Sequence, residues 1–174
     1  DIVIANAGAS TSAPFGKTSL ADWDAMLAVN LTGVFLTLRG GLNQMQGWGR
    51  LISIASTAGL KGYAYVAPYV AAKHGIVGMT KVVALETAQD PITANAICPG
   101  YVMTPLVESQ IPDTMEKYGM DRETVIREVL LERQPSKAFA TVEQLGGTCV
   151  FLASDAAAQM TGTTLSIDGG WTAL

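Results

Sequence analysis

Tyr69 and Lys73 stand four residues apart in a stretch of helical periodicity, so both side chains project from one face of a helix. A free phenol titrates near 10, and acid/base work near neutrality requires lowering it by roughly 3 units, about 4 kcal/mol. One cation within ~4 to 6 Å typically supplies about 1 to 3 of those units, which gives Lys73 a task beside Tyr69. Ser56 closes the apolar run Leu51-Ile52-Ser53-Ile54-Ala55 and is placed to hydrogen-bond a reacting oxygen. Taken alone, it reads equally well as a strand-end hydroxyl bonded to local backbone. Together the three residues imply proton transfer to or from a hydroxyl or carbonyl. The coupled hydride must come from a nicotinamide, because no side chain carries one.

The elements that must position these residues alternate between strands and helices. Ile2-Val3-Ile4-Ala5 reads as a strand buried on both faces of a parallel sheet, ending at Asn6-Ala7-Gly8. Ser19 and Asp22 open a helical pattern through Leu20, Trp23, Met26, Leu27, Asn30, Leu31, Val34 and Phe35, with Asn30 mid-helix and the Trp23 and Phe35 stripe as core. After Gly47 and Gly49 comes the strand ending at Ser56. A helix follows from Pro68 to about Ala88, whose Ala71, Ala72, Gly75 and Gly78 would let another helix approach. Residues 93–98 read as a third strand stopped by Pro99-Gly100. Residues 104–140 hold two short amphipathic stretches, with Asp121 as a cap and Val125, Val129 and Leu130 inward, and read as an insertion covering substrate. Thr141 with Gln144 forms a capping box for a helix to about Ala153, and Thr164-Leu165-Ser166-Ile167 is the last strand. This is one α/β domain over residues 1–174, a doubly wound, Rossmann-like parallel sheet. Ligands in such sheets bind beyond the carboxyl ends of the strands, where Asn6, Ser56 and the turn from Pro99 to Thr104 lie.

Composition narrows the partners. The 174 residues are 49% apolar and 15% charged, against roughly 25% charged in an average domain, which argues against disorder. Net charge is −4 with basic residues scattered singly, so no stripe neutralises phosphates and nucleic acid is not expected. No uninterrupted apolar run approaches the roughly 18 residues of a membrane helix and no basic leader precedes Ile2, so the expectation is a cytoplasmic protein without a membrane partner. Cys98, Cys149 and the lone His74 offer neither a disulfide framework nor zinc spacing, and no metal is expected. His74 points off the Lys73 face and reads as structural; Cys98 reads as a small buried hydrophobe.

The strings Asn6-Ala7-Gly8, Ile54-Ala55-Ser56, Tyr69-Val70-Ala71-Ala72-Lys73 and Pro99-Gly100-Tyr101-Val102-Met103-Thr104, with Asn30 mid-helix and Ser56 thirteen residues before Tyr69, resemble the short-chain dehydrogenase/reductase family over the whole chain. The resemblance implies Tyr69 as acid/base, Ser56 as the residue orienting the substrate oxygen, and Lys73 as the group that lowers the tyrosine pKa and holds the nicotinamide ribose. It implies that Asn30 keeps a water in a proton relay and that Asn6, Ala7 and Gly8 line the adenosine side. The main chain at Val102 and the hydroxyl of Thr104, in the turn begun by Pro99 and Gly100, would position the carboxamide or phosphates. NAD or NADP is the implied cofactor, NAD by resemblance alone. The usual second asparagine before Ala-Gly is Ala5 here. No Thr-Gly-x-x-x-Gly-x-Gly turn occurs, so in the family's strand order 3-2-1-4-5-6-7 the chain supplies strands 4 to 7 without the phosphate cradle, and weak cofactor binding by these residues alone is expected.

Within that family, the stretches from Tyr69 to Ala88, Ala94 to Ile111 and Gln134 to Phe139, and the ending Asp168-Gly169-Gly170-Trp171, are similar to bacterial D-3-hydroxybutyrate dehydrogenases. Those enzymes grip a carboxylate with a glutamine, a histidine and a lysine, where this chain has Ser10, Ala58 and Val66. Gln110 keeps its expected type, and Tyr101 stands where a tryptophan is common. The implied activity is an NAD(P)-dependent interconversion of a secondary alcohol and a ketone, on a substrate larger or less charged than 3-hydroxybutyrate. The alternative is a non-catalytic fragment or interaction protein of the same fold. A serine-lysine hydrolase is disfavoured by the absence of Gly-x-Ser-x-Gly and Ser-x-x-Lys. The small-residue and apolar helix faces, and the family's habit, imply a homo-oligomer, dimer or tetramer.

Overall fold

The computed structural model describes residues 1–174, all but the side chain of Leu106. Four parallel strands, β1 (Ile2–Ala5), β2 (Gly49–Ile54), β3 (Ile92–Pro99) and β4 (Thr164–Ile167), lie side by side in chain order. Their register pairs Ala5 with Ser53, Ile54 with Ile97, and Pro99 with Ile167, so the carboxyl ends of all four strands share one edge. That edge gathers Asn6, Ser56, the turn after Pro99, and Asp168.

Helices cover both faces, as side-chain alternation in the central strands requires. Leu51, Ala94, Ala96 and Cys98 point to one layer and meet Val34, Leu38, Ile76 and Val77. Ile52 and Ile97 point the other way, onto Leu152 and Ala157. The first layer consists of α1 (Leu20–Leu27), a π turn (Ala28–Thr32), α2 (Gly33–Leu42) and α3 (Ala67–Glu86); the second is α6 (Val142–Ala153). Between β3 and α6 run α4 (Pro105–Tyr118), the short α5 (Arg122–Thr124) and a π turn at Val125–Leu130. The caps match the sequence: Ser19 accepts from the Asp22 amide, Asp121 from Thr124, and Thr141 with Gln144 forms the full capping box.

Several elements differ in detail from the sequence expectation. β1 pairs with β2, and its Ile2 and Ile4 are 50% and 44% exposed while Ala5 is buried, on the side where the family's strand order places strand 1. The helix expected from Ser19 to Phe35 runs on to Leu42 and buries a narrow four-residue stripe, Met26, Asn30, Val34 and Leu38. Phe35, one position round from that stripe, is exposed rather than core, with Arg39 stacked 4.9 Å above its ring. This Leu20–Leu42 stretch is 23 residues long and apolar enough to cross a membrane by length and composition, yet it is interrupted by Asp22, Asp24 and Arg39 and packs on α3 and β1. In the segment after β3, Val129 and Leu130 are only half-buried; Ile111, Val125 and Leu131 form its buried anchors, because the π turn rotates the later residues off the inward face.

Candidate active site

Ser56 leaves β2 in extended conformation, and its Oγ accepts the amide of Ala58, the first bond of the tight turn Thr57–Gly59. The local-backbone reading of Ser56 is therefore true, and it does not exclude the other. Ala58 occupies one lone pair, and the hydroxyl proton is left to donate to the neighbouring Tyr69 oxygen or to a substrate oxygen. α3 begins with Pro68 in its first turn, packs on β3 and on the Thr57–Gly59 turn, and carries Tyr69 and Lys73 four residues apart on one face. Burial pushes the Tyr69 phenol above its ordinary range, and a hydrogen bond with Ser56 pulls it part-way back. The two residues thus meet.

Lys73 is almost fully buried, and its Nζ donates to the Ile54 carbonyl at 2.9 Å. Desolvation lowers its pKa to about 8. Its ammonium lies 5.5 Å from the centroid of the Tyr69 ring, within the range at which a cation acts on a phenol. The α3 backbone comes close enough to the Ser56 loop that a Cβ on Gly59 would stand 2.7 Å from the Lys73 carbonyl oxygen.

Asn30 sits in the π turn, where the widened helix leaves the Met26 carbonyl to its side chain. Nδ2 donates to the Met26 and Ala9 carbonyls, at 3.0 and 2.8 Å, and Oδ1 accepts the Ala9 amide. Both donors are thus engaged with backbone, and the side chain straps the loop after β1. The strap brings Gly8 against the site, where a Cβ would meet Asn30 Oδ1 at 3.0 Å and Lys73 Nζ at 3.7 Å. Asn6 and Ala7 are exposed on the same edge.

On the far side of Ser56, the turn after β3 is fixed by the Gln134 side chain, whose Oε1 accepts the Tyr101 amide. A Cβ on Gly100 would collide with that oxygen at 2.6 Å, which explains the glycine. Val102 forms a parallel bridge with Ala140, and the Thr104 hydroxyl accepts the Val107 amide as the cap of α4. Of the expected substrate residues, Ala58 is buried in the Thr57–Gly59 turn and Tyr101 is half-buried after β3, while Ser10 lies in an exposed loop and Gln110 on an exposed face of α4. His74 binds the Val70 carbonyl, and Cys98 is fully buried in the core, both as expected.

Sequence reasoning missed an aromatic wall. Trp171, buried, stacks on Tyr101 with 6.0 Å between centroids and 12° between planes, and tilts against Tyr63 at 5.0 Å. The Tyr63 hydroxyl shares a 2.5 Å hydrogen bond with Thr57; burial raises its pKa to about 12, and it lies close enough to Tyr69 and Tyr101 to feel their charges. Arg133 exerts a positive field on both Tyr63 and Tyr101. The signal available beforehand was the tyrosine six residues after Thr57 and the tryptophan behind the Gly169-Gly170 turn. A separate open cleft of about 770 Å³ lies between α6, β4 and residues 134–140, and neither Ser56, Tyr69 nor Lys73 lines it. Among the described residues no group of His, Cys, Asp and Glu could hold a metal ion.

A buried lysine and a phenol bonded to a serine, aligned on one face beside a glycine gap at the strand ends, suit a nicotinamide and an alcohol. The family model adh_short_C2, described as Enoyl-(Acyl carrier protein) reductase, matches residues 1–172. The chain belongs to the short-chain dehydrogenase/reductase family, and it is an oxidoreductase. It is similar to the D-beta-hydroxybutyrate dehydrogenases of Rhizobium meliloti (strain 1021), 51% identical, and of Cupriavidus necator, 50% identical; each match covers 99% of this chain and 68% of the relative. Its structure is similar to an oxidoreductase of the short-chain dehydrogenase/reductase family from Burkholderia thailandensis, with TM-score 0.87 and 32% identity over 100% of this chain and 65% of that one. It is also similar to ElxO with NADP bound, with TM-score 0.88 and 28% identity over 100% of this chain and 68% of that one.

Proposed function

We propose that this short-chain dehydrogenase/reductase interconverts a secondary alcohol and a ketone larger or less charged than 3-hydroxybutyrate, with NAD as its cofactor. The single observation that carries the substrate reading is the wall of Tyr63, Tyr101 and Trp171 next to a buried, uncharged Ala58, a surface suited to an apolar body. The gap at Gly8, the buried ammonium of Lys73 and the turn from Pro99 to Thr104 fit the nicotinamide half of the cofactor. When bound, that ring accepts or gives the hydride.

The chain's own residues do the rest. Ser56 turns its hydroxyl proton from the Tyr69 oxygen toward the substrate oxygen. Tyr69 takes the alcohol proton in oxidation and returns it in reduction. Lys73 would hold the ribose hydroxyls of a bound nucleotide from the same α3 face, with the N–H donors not used on the Ile54 carbonyl. The Asn30 strap holds Gly8 close to Lys73, and residues 104–140 cover the substrate.

A second reading, D-3-hydroxybutyrate itself, is favoured by the R. meliloti relative and by the positive field of Arg133 at Tyr63 and Tyr101, which offers a cation where Ala58 and Val66 do not. The deciding experiment compares kcat/KM for D-3-hydroxybutyrate, its methyl ester and cyclic secondary alcohols, each with NAD and NADP. A preference for the uncharged or larger alcohols is expected. Faster turnover and tighter binding of the free acid would overturn that substrate choice, and a preference for NADP would overturn the cofactor.

A further inference from the structure

The residues that carry the aromatic wall come from three strand ends, and one side chain ties the outermost to the innermost. Asp168 shapes the turn after β4: its carboxylate accepts the amides of Gly170 and Thr172 and the Thr172 hydroxyl. Gly169 and Gly170 adopt the positive φ that this turn requires. These bonds fix the shape of the turn, but not its distance from the Ser56 loop. That distance is set by Lys61, whose Nζ reaches across β3 to the carbonyl oxygens of Trp171, at 3.1 Å, and Leu174, at 2.5 Å. On the Lys61 side, Thr57 holds Tyr63, and Tyr63 meets the Trp171 ring, so the loop that begins at Ser56 and the turn that ends at Trp171 are joined twice, by an ammonium and by a ring contact.

We infer that Lys61 is a positioning residue that fixes Trp171 as the closing wall of the substrate site. The inference rests on the reading of Ser56 and Tyr69 as the reacting group. Two of the three N–H donors of Lys61 are committed to backbone carbonyls, so its charge strengthens a strut. It acts on the substrate through Trp171. Such a residue contributes to holding the substrate equally in ground and transition states, and its loss raises KM with little change in kcat. Lysine suits the span because its flexible four-carbon stem crosses the gap while its head binds carbonyls as a compact point charge.

The test uses the holoenzyme with Trp23 and Trp48 replaced by Phe, which leaves Trp171 as the reporter among three tryptophans. Lys61→Met should raise acrylamide quenching of Trp171 at least about twofold and KM at least about fivefold, with kcat within about threefold of the parent. Lys61→Arg should restore both toward the parent. If Lys61→Met does not fold, Lys61→Gln, which keeps donors of shorter reach, is read the same way. Unchanged Trp171 quenching overturns the inference, as does a selective loss of anionic substrates, which would make Lys61 a charge receptor instead. Because quenching is read without turnover, failure to oxidise any secondary alcohol would sink the functional reading and still leave the strut to be judged by Trp171.

Discussion

At the scale of single residues, Lys73 is held where its charge is unfavourable, and this has a pH signature. Its folded pKa is about 8, below the roughly 10.4 of an unfolded lysine. Below pH 8 both states are protonated and the destabilisation is complete. Between about pH 8 and 10 the unfolded chain binds more protons than the folded one, so stability rises with pH through this window. Tyr69 acts in the opposite sense above about pH 10, because burial makes the folded phenol keep its proton longer. Denaturant unfolding at a series of pH values should show the rise in the parent and a flatter profile in Lys73→Met. An equal rise in both would assign it to another group. The companion prediction concerns chemistry: Tyr69→Phe in the holoenzyme should fold normally and lose about 10²- to 10⁴-fold in kcat, the usual contribution of a general acid/base. Turnover within tenfold of the parent would remove Tyr69 from that role.

At the scale of elements, precision comes from glycines at close approaches, and they are not equivalent. A Cβ on Gly59 would lie 2.7 Å from the Lys73 main-chain oxygen, so α3 would have to move. Nothing stands within 4 Å of the corresponding point on Gly78, which is exposed in the same helix. Gly59→Ala should therefore cost about 1 to 3 kcal/mol of stability and reduce activity, whereas Gly78→Ala should gain up to about 1 kcal/mol from helix propensity alone. Thermal melts of the two variants check both signs. The sequence could not separate these glycines, because spacing marks Gly75 and Gly78 alike as small, and only the packing of Leu31 against Gly75 shows which one receives a helix. Strand and helix identities were legible because buried parallel strands are continuous apolar runs and because Ser19, Asp121 and Thr141 announce helix starts. Ser56, Tyr69 and Lys73 were legible as well, since one strand end and one helical face place all three. The Trp171 wall was not: it depends on a contact between loops more than 100 residues apart in sequence, which no local period encodes. The π turn at Asn30 was hidden too, because a one-residue widening leaves the apolar pattern almost unchanged.

At the scale of the whole molecule, the sheet explains where the surface is unfinished. α1 and α2 bury only the Met26, Asn30, Val34 and Leu38 stripe, leaving Leu20, Phe35 and Leu36 exposed; α3 leaves Val82 and Leu85 exposed on the side away from the sheet. Scattered single apolar residues on a surface are ordinary, but two long neighbouring helices that both present large aliphatic or aromatic side chains to water favour association. The charge of these helices does not oppose it: Arg39, Lys81 and Glu86 are spread among the apolar positions rather than grouped into one repelling field. We therefore expect a homo-oligomer in which copies meet through α1, α2 and α3. A closed two-fold contact would pair each helix face with its own copy, so one substitution acts twice. Leu85→Glu combined with Phe35→Glu should shift sedimentation to a smaller species while the circular dichroism of the subunit persists, since neither side chain belongs to the buried stripe. A parent that sediments as a monomer at micromolar concentration would refute the expectation, and an unchanged assembly in the double variant would move the contact to another face.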